Sequence, residues 1–121
     1  MGDFRILYVE DEPNLREIYG FKLKNYFNCE VITLESGNKA SNLLKNDSRF
    51  SIIISDFSMA DGSGLDLLYY ILNNNLKIPF VFFTMNAQIK NTLKFDQQID
   101  FVLKFDFEEL CKVVSQKKIR V

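Results

Sequence analysis

The chain contains no histidine in 121 residues. That absence removes histidine acid–base chemistry, a Ser-His-Asp triad and any histidine-ligated metal. Cysteine is scarce as well. Cys29 and Cys111 form no paired motif, and a reducing, cytoplasmic setting is expected. No apolar run approaches the ~20 residues of a membrane span, and no signal peptide is expected ahead of the first strand-like run. Charge of one sign is missing too: 15 basic residues face 16 acidic ones. Neither a nucleic-acid footprint nor a membrane-surface patch is therefore expected. Low-complexity tracts, repeats and linkers are absent. The first strand is not followed by a glycine-rich phosphate loop, which disfavours a nucleotide-binding flavodoxin-like protein.

What is present is a run of apolar segments alternating with helical ones, with 47% apolar residues overall. The length suits one domain spanning residues 1–121. Strands are expected over residues 4–9, 31–34, 51–55, 79–83 and 100–103. Pro13 opens a helix where its missing N–H costs nothing, and Leu15, Ile18, Tyr19, Leu23 and Tyr26 form its inward face. Ser36 caps a second helix carrying Ala40, Leu43 and Leu44. Further helices are expected over about 65–74, 87–95 and 107–115, the last with Leu110, Val113 and Val114 inward and a fraying tail over 116–121. Five βα units with short connections predict a parallel, doubly wound α/β sheet with helices on both faces. Ligands of such sheets bind beyond the carboxyl ends of the strands.

Glu10, Asp11, Asp56, Thr84 and Lys104 all fall at or just past those ends. Asp56 leaves a dry strand, Ile52-Ile53-Ile54, into the crevice. Alone it reads equally well as a turn cap. Glu10 and Asp11 join it, and three carboxylates in one crevice repel unless a cation sits among them. Oxygen-only ligands select a hard ion, and Mg²⁺ suits a small acidic crevice. Glu12 fits a helix cap instead. Lys104 brings the opposite charge, either as a structural ion pair or toward a ligand. A nucleophilic Asp, a cation, a lysine and the Thr84 hydroxyl are the parts a phosphoryl group requires.

Four segments carry a resemblance to the receiver domain of two-component response regulators. They are Ile6-Leu7-Tyr8-Val9-Glu10-Asp11-Glu12-Pro13, the stretch from Ile53 through Asp56 and Gly64 to Leu65, Phe82-Phe83-Thr84, and Asp100-Phe101-Val102-Leu103-Lys104. The resemblance covers nearly the whole chain. It implies a flavodoxin-like five-stranded sheet of order 2-1-3-4-5 with five helices. Asp56 would be the phosphoacceptor. Glu10, Asp11, the Asp56 carboxylate and the backbone carbonyl of Ser58 would hold Mg²⁺. Thr84 and Lys104 would contact the phosphoryl group. Phe101 would be the aromatic switch residue, turning inward as Thr84 moves. The donor would be a phosphohistidine on a sensor kinase or phosphotransfer protein, and the output a downstream protein target. Such a domain is not an enzyme beyond its own phosphorylation and dephosphorylation. It would be a single-domain regulator or a receiver cut from a longer protein.

The chain departs from the family pattern in places. Lys104 is followed by Phe105, not proline. A cis non-proline bond costs roughly 3 kcal/mol, so a trans Lys104–Phe105 bond and a shifted lysine are expected. Met85 replaces a small residue after Thr84. With Ser58 and Asn86 it is expected to modulate access to the phosphoryl site, unless it turns away into a gap. Ala60 replaces a proline in the loop after Asp56, and Gln97-Gln98-Ile99 replaces a small pair before the fifth strand. Phe21, Phe95, Phe105 and Phe107 exceed what the core needs, as core residues or as a partner surface. One alternative is a degenerate receiver acting as an interaction module without phosphorylation. A second, a Mg²⁺-dependent phosphohydrolase using Asp56, lacks a second acid–base group because Ser58 stands in its place.

Overall fold

Runs of β-branched and aromatic residues set the strands, and their consecutive apolar positions mean that both faces are covered. The computed structural model describes residues 4–86 and 99–118. Along the chain these residues form β1 (Arg5–Val9), α1 (Pro13–Phe27), β2 (Glu30–Leu34), α2 (Gly37–Asn46), β3 (Ile52–Ser55), α3 (Gly64–Asn73), β4 (Phe80–Thr84), β5 (Asp100–Leu103) and α4 (Phe107–Lys118). All strand pairs are parallel, in the order β2-β1-β3-β4-β5. The expected sheet order is therefore observed. Four helices lie among the described residues, where five were expected. The missing one, over 87–95, falls outside the described residues.

Side chains alternate across the sheet and divide the core in two. Ile6, Tyr8, Ile52, Ile54, Val81 and Phe83 face α1 and α4. Leu7, Val9, Ile53, Phe80 and Phe82 face α2 and α3. Every residue of β3 and β4 is buried, which explains why those strands read as unbroken apolar runs. Register fixes the geometry beyond the strand ends. Leu7 pairs with Ile32 on one side and Ile53 on the other, and Ser55 with Phe82.

Several helix expectations need correction. In α1 the buried stripe is Tyr19, Leu23 and Phe27, at steps of four. Ile18 and Tyr26 lie off it, 49% and 61% exposed. α3 begins at Gly64, one residue earlier than expected, because Ser63 and Asp66 form a reciprocal capping box. α4 does not fray at residue 116 but continues to Lys118. Lys117 Nζ lies 2.9 Å from Asp100 Oδ2, tying the last turn to the start of β5. At the α1 end, Glu12 is the cap, its Oε1 accepting the Leu15 N–H at 2.9 Å, as expected.

Tyr8 is fully buried, and its hydroxyl has no hydrogen-bond partner among the described residues. Burial, with Glu10 and Asp56 nearby, pushes the phenol far above its ordinary value, so it stays neutral. Replacing Tyr8 by Phe keeps the ring and deletes an unsatisfied group. Tyr8→Phe is expected to raise the unfolding free energy by about 1 kcal/mol in urea denaturation. A fall in stability would mean that the hydroxyl is satisfied after all.

Candidate functional site

The ladder of the sheet runs one bond past β1, β3 and β5, and the residue it captures in each case is charged. The Glu10 N–H donates to Leu34 O at 3.0 Å, and that of Asp56 to Val9 O at 3.0 Å. The Lys104 N–H donates to Thr84 O at 2.7 Å. All three backbones are therefore fixed by the neighbouring strand, while their side chains leave the sheet edge. Asp56 is further confined by α3. A Cβ on Gly64 would come 2.1 Å from the Asp56 carbonyl oxygen, so only glycine lets the helix start there.

Lys104 Nζ lies 2.7 Å from Asp56 Oδ2 and 2.8 Å from Glu10 Oε1. Its side chain is 5% exposed. The other oxygens are held as well: Asp56 Oδ1 accepts from Phe57 N at 2.7 Å, and Glu10 Oε2 from Glu12 N at 3.1 Å. Arg16 Nη1 donates to the Glu10 carbonyl at 2.9 Å and steadies the turn into α1. Burial pushes the Glu10 carboxyl up, against the pull of Lys104 and the Glu12 N–H. Burial alone would lower the Lys104 ammonium, but Asp56 and Glu10 outweigh it and raise it. The two shifts pull opposite ways on whether the pair is charged. The lysine direction prevails physically, because its ammonium has two carboxylates within hydrogen-bond distance, and Lys104 is protonated at neutral pH.

One oxygen each from Glu10, Asp11 and Asp56 lies within 4.8 Å of the other two. Three carboxylates against one ammonium leave the crevice net negative, and an all-oxygen donor set fits a hard divalent cation such as Mg²⁺. Asp11 is exposed, whereas Glu10 and Asp56 are buried.

The remaining expected site residues are distributed around this centre. Thr84 is buried at the end of β4, and its Oγ1 accepts from Asn86 N at 3.3 Å. Ser58 is exposed in the loop after Asp56. Met85 is 66% exposed and does not fill an interior gap. Phe101 is half-buried and stacks on Phe82 with centroids 5.1 Å apart, and Phe82 lies 5.1 Å from Phe57, the neighbour of Asp56. Among the described residues no peptide bond is cis, so Lys104–Phe105 is trans as expected. The expected shift of the lysine does not take it out of reach of the carboxylates. Phe105 takes a positive φ of 75°, and the turn is absorbed after the lysine, not at it. Of the surplus aromatics, Phe21 and Phe105 are exposed. Phe107 packs on the α1/α4 core beside Tyr19 and Tyr26, and Phe95 lies outside the described residues.

Sequence reasoning passed over Asp61. Its Oδ2 accepts from Ser36 Oγ at 2.9 Å and its Oδ1 from Asn38 Nδ2 at 2.8 Å. The one local signal was an Asp-Gly turn in the loop after Asp56, and its partners are remote in sequence.

A parallel sheet of order 2-1-3-4-5 with an acidic crevice and a lysine at its carboxyl edge defines a receiver-type domain. The chain belongs to the response regulator receiver domain family, whose pattern matches residues 6–115. It is 32% identical over 91 residues to the response regulator SaeR of Staphylococcus aureus, a match covering 73% of this chain and 37% of SaeR. The chain thus spans little more than a third of the curated relatives it matches. Among solved structures it is similar to TrrA from Thermotoga maritima, determined in complex with Mg²⁺-BeF (TM-score 0.81, 28% identity, 94% of this chain and 98% of that one). It also resembles the non-phosphorylated HemR receiver domain from Leptospira biflexa (TM-score 0.80, 25% identity, 98% and 96%). No helix among the described residues is long and apolar enough to cross a membrane.

Removing the ammonium leaves two buried carboxylates facing each other. Lys104→Met is expected to lower the unfolding free energy by about 3–5 kcal/mol in the presence of a chelator, measured by urea denaturation. A loss below about 1 kcal/mol would show that the crevice is wet enough to screen the charges.

Proposed function

We propose that this domain takes a phosphoryl group from a partner phosphohistidine onto Asp56 and relays the change to a downstream protein target. The observation that carries this reading is the convergence of the Glu10, Asp11 and Asp56 oxygens within 4.8 Å, with Lys104 Nζ 2.7 Å from Asp56. An Asp56 oxygen attacks phosphorus, the P–O bond forms, and the P–N bond to the donor imidazole breaks. The imidazole nitrogen keeps the electron pair and takes up a proton. Dephosphorylation returns the carboxylate when water attacks the same phosphorus. Lys104 and Thr84 donate to phosphoryl oxygens where negative charge is concentrated. Glu10, Asp11, Asp56 and the Ser58 carbonyl would hold Mg²⁺, which when bound neutralises phosphoryl charge.

The partners in this reading are a sensor histidine kinase or a histidine phosphotransfer protein, in the cytoplasm, with no nucleic acid or membrane bound by this domain. Phe101, stacked through Phe82 on Phe57, supplies the switch. It is a packing switch, because phenylalanine offers no hydroxyl. Met85, Ser58 and Asn86 govern access of water and small donors.

Acetyl phosphate is expected to label the chain only with Mg²⁺ present, and Asp56→Asn to abolish labelling. Labelling that survives Asp56→Asn would overturn the assignment, and no labelling of the unsubstituted chain would favour a phosphorylation-independent interaction module. Met85→Ala is expected to shorten the lifetime of the label several-fold after the donor is removed, followed by loss of ³²P. An unchanged lifetime would release Met85 from any role in access.

A further inference from the structure

The loop between β3 and α3 begins at Asp56 and carries the Ser58 carbonyl, so its shape decides whether that carbonyl reaches a cation. Two anchors hold it. At its base the Gly64 N–H donates to Phe57 O at 2.8 Å. At its far side the loop lies across the N-terminus of α2. There the Gly37 N–H donates to Gly62 O at 2.8 Å and the Asn38 N–H to Asp61 O at 3.0 Å. These are helix N-terminal donors that α2 cannot satisfy itself. A Cβ on Gly37 would come 2.5 Å from Gly62 O, so the approach requires glycine at that position.

The Asp61 carboxylate closes the far anchor. Ser36 is 2% exposed. Its oxygen accepts the Lys39 N–H at 3.1 Å as the cap of α2, and its single O–H donates to Asp61 Oδ2. Asn38 donates to the other Asp61 oxygen. These Asn38 and Ser36 hydrogen bonds hold the Asp61 carboxyl below the usual carboxylate range, and the positive end of α2 favours the same charge. The segment 58–60 is thus an arch pinned at both feet. Asp61 is not one of the converging carboxylates and touches α2, not the crevice.

We propose that Asp61 is a positioning residue for the cation: clasping Ser36 and Asn38, it sets the arch that presents the Ser58 carbonyl beside Asp56. The inference rests on the metal site described under the proposed function. It assigns a role to α2 that the crevice residues alone do not reveal, because the helix furnishes the abutment of the ligand loop.

Isothermal titration of the full chain with Mg²⁺ tests it, with thermal unfolding recorded for each variant. Asp61→Ala is expected to weaken Mg²⁺ binding about five-fold and Asn38→Ala about two- to three-fold. The double substitution should be no weaker than Asp61→Ala alone, since both break one clasp. Asp61→Asn, which keeps one acceptor oxygen, should fall between the unsubstituted chain and Asp61→Ala. Asp66→Ala, which breaks the cap of α3 and not the clasp, should lower the melting temperature and leave Mg²⁺ affinity within two-fold. If the unsubstituted chain binds Mg²⁺ and Asp61→Ala binds it equally well, the clasp is overturned while the metal site stands. If affinity in all variants, Asp66→Ala included, simply follows melting temperature, the positioning role is overturned too. Absence of Mg²⁺ binding by the unsubstituted chain overturns the metal site and this inference with it.

Discussion

One ammonium shared by two buried carboxylates governs the carboxyl edge of this sheet. Glu10 and Asp56 leave the neighbouring strands β1 and β3, whose axes lie about 4.8 Å apart, so their oxygens must converge. Lys104 arrives from β5, roughly 10 Å of sheet from β3 and roughly 14 Å from β1. Its long stem spans that gap and its head meets both acids, at 2.7 and 2.8 Å. Without the lysine the two acids repel in a place that water reaches poorly. With it, and with Asp11 beside them, the crevice is still negative, and a hard cation is the remaining complement. The strand order is therefore a condition of this convergence. Slipping any of these strands by one residue would turn the site residue to the opposite face.

The same edge divides into fixed and adjustable parts. Glu10, Asp56 and Lys104 are fixed because each donates a backbone hydrogen bond to a neighbouring strand or its last residue. The loop after Asp56 is fixed by different means, through its bonds to α2. Phe101 belongs to neither group. It is half-buried, and its ring lies against Phe82 with no hydrogen bond from its side chain to define it. A ring held by packing alone is located by the shape of its neighbours and not by a directed bond.

Much of this was legible in the sequence because the signals were local. Ile52-Ile53-Ile54 with a carboxylate two residues on, and Val9 followed by Glu10-Asp11, each announce a dry strand ending in charge. Parallel topology then brings those ends together without further information. The stripe of α1 was only partly legible. Ile18 and Tyr26 satisfy the helical spacing as well as the residues that are buried, and only the position of α1 against β2 and α4 selects Tyr19, Leu23 and Phe27. The extension of α4 comes with an ion pair between Lys117 and Asp100, residues with no local relation. Asp61 was invisible for the same reason. Its partners, Ser36 and Asn38, sit in another βα unit, and nothing in the loop's own composition marks the carboxylate as a clasp.

The lysine shows where local reasoning fails in the opposite direction. Its flank departs from the family pattern, and a displaced side chain follows if the peptide after Lys104 sets its position. That premise does not hold. The Lys104 N–H is already bonded to Thr84 O at 2.7 Å, so its backbone is placed by β4 before the chain turns. The turn itself is completed downstream. Phe105 adopts a positive φ, the Asp106 N–H donates to Leu103 O at 3.1 Å, and Asp106 Oδ1 accepts the Glu109 N–H to start α4. A positive φ is uncommon for a bulky residue, and this is the one irregularity the turn requires. It is accommodated by an exposed side chain, one residue beyond the group that matters. Residues at a strand end are insulated from the loop that follows them when the ladder holds their backbone, so substitutions in that loop alter the exposed surface sooner than they move the strand-end side chain.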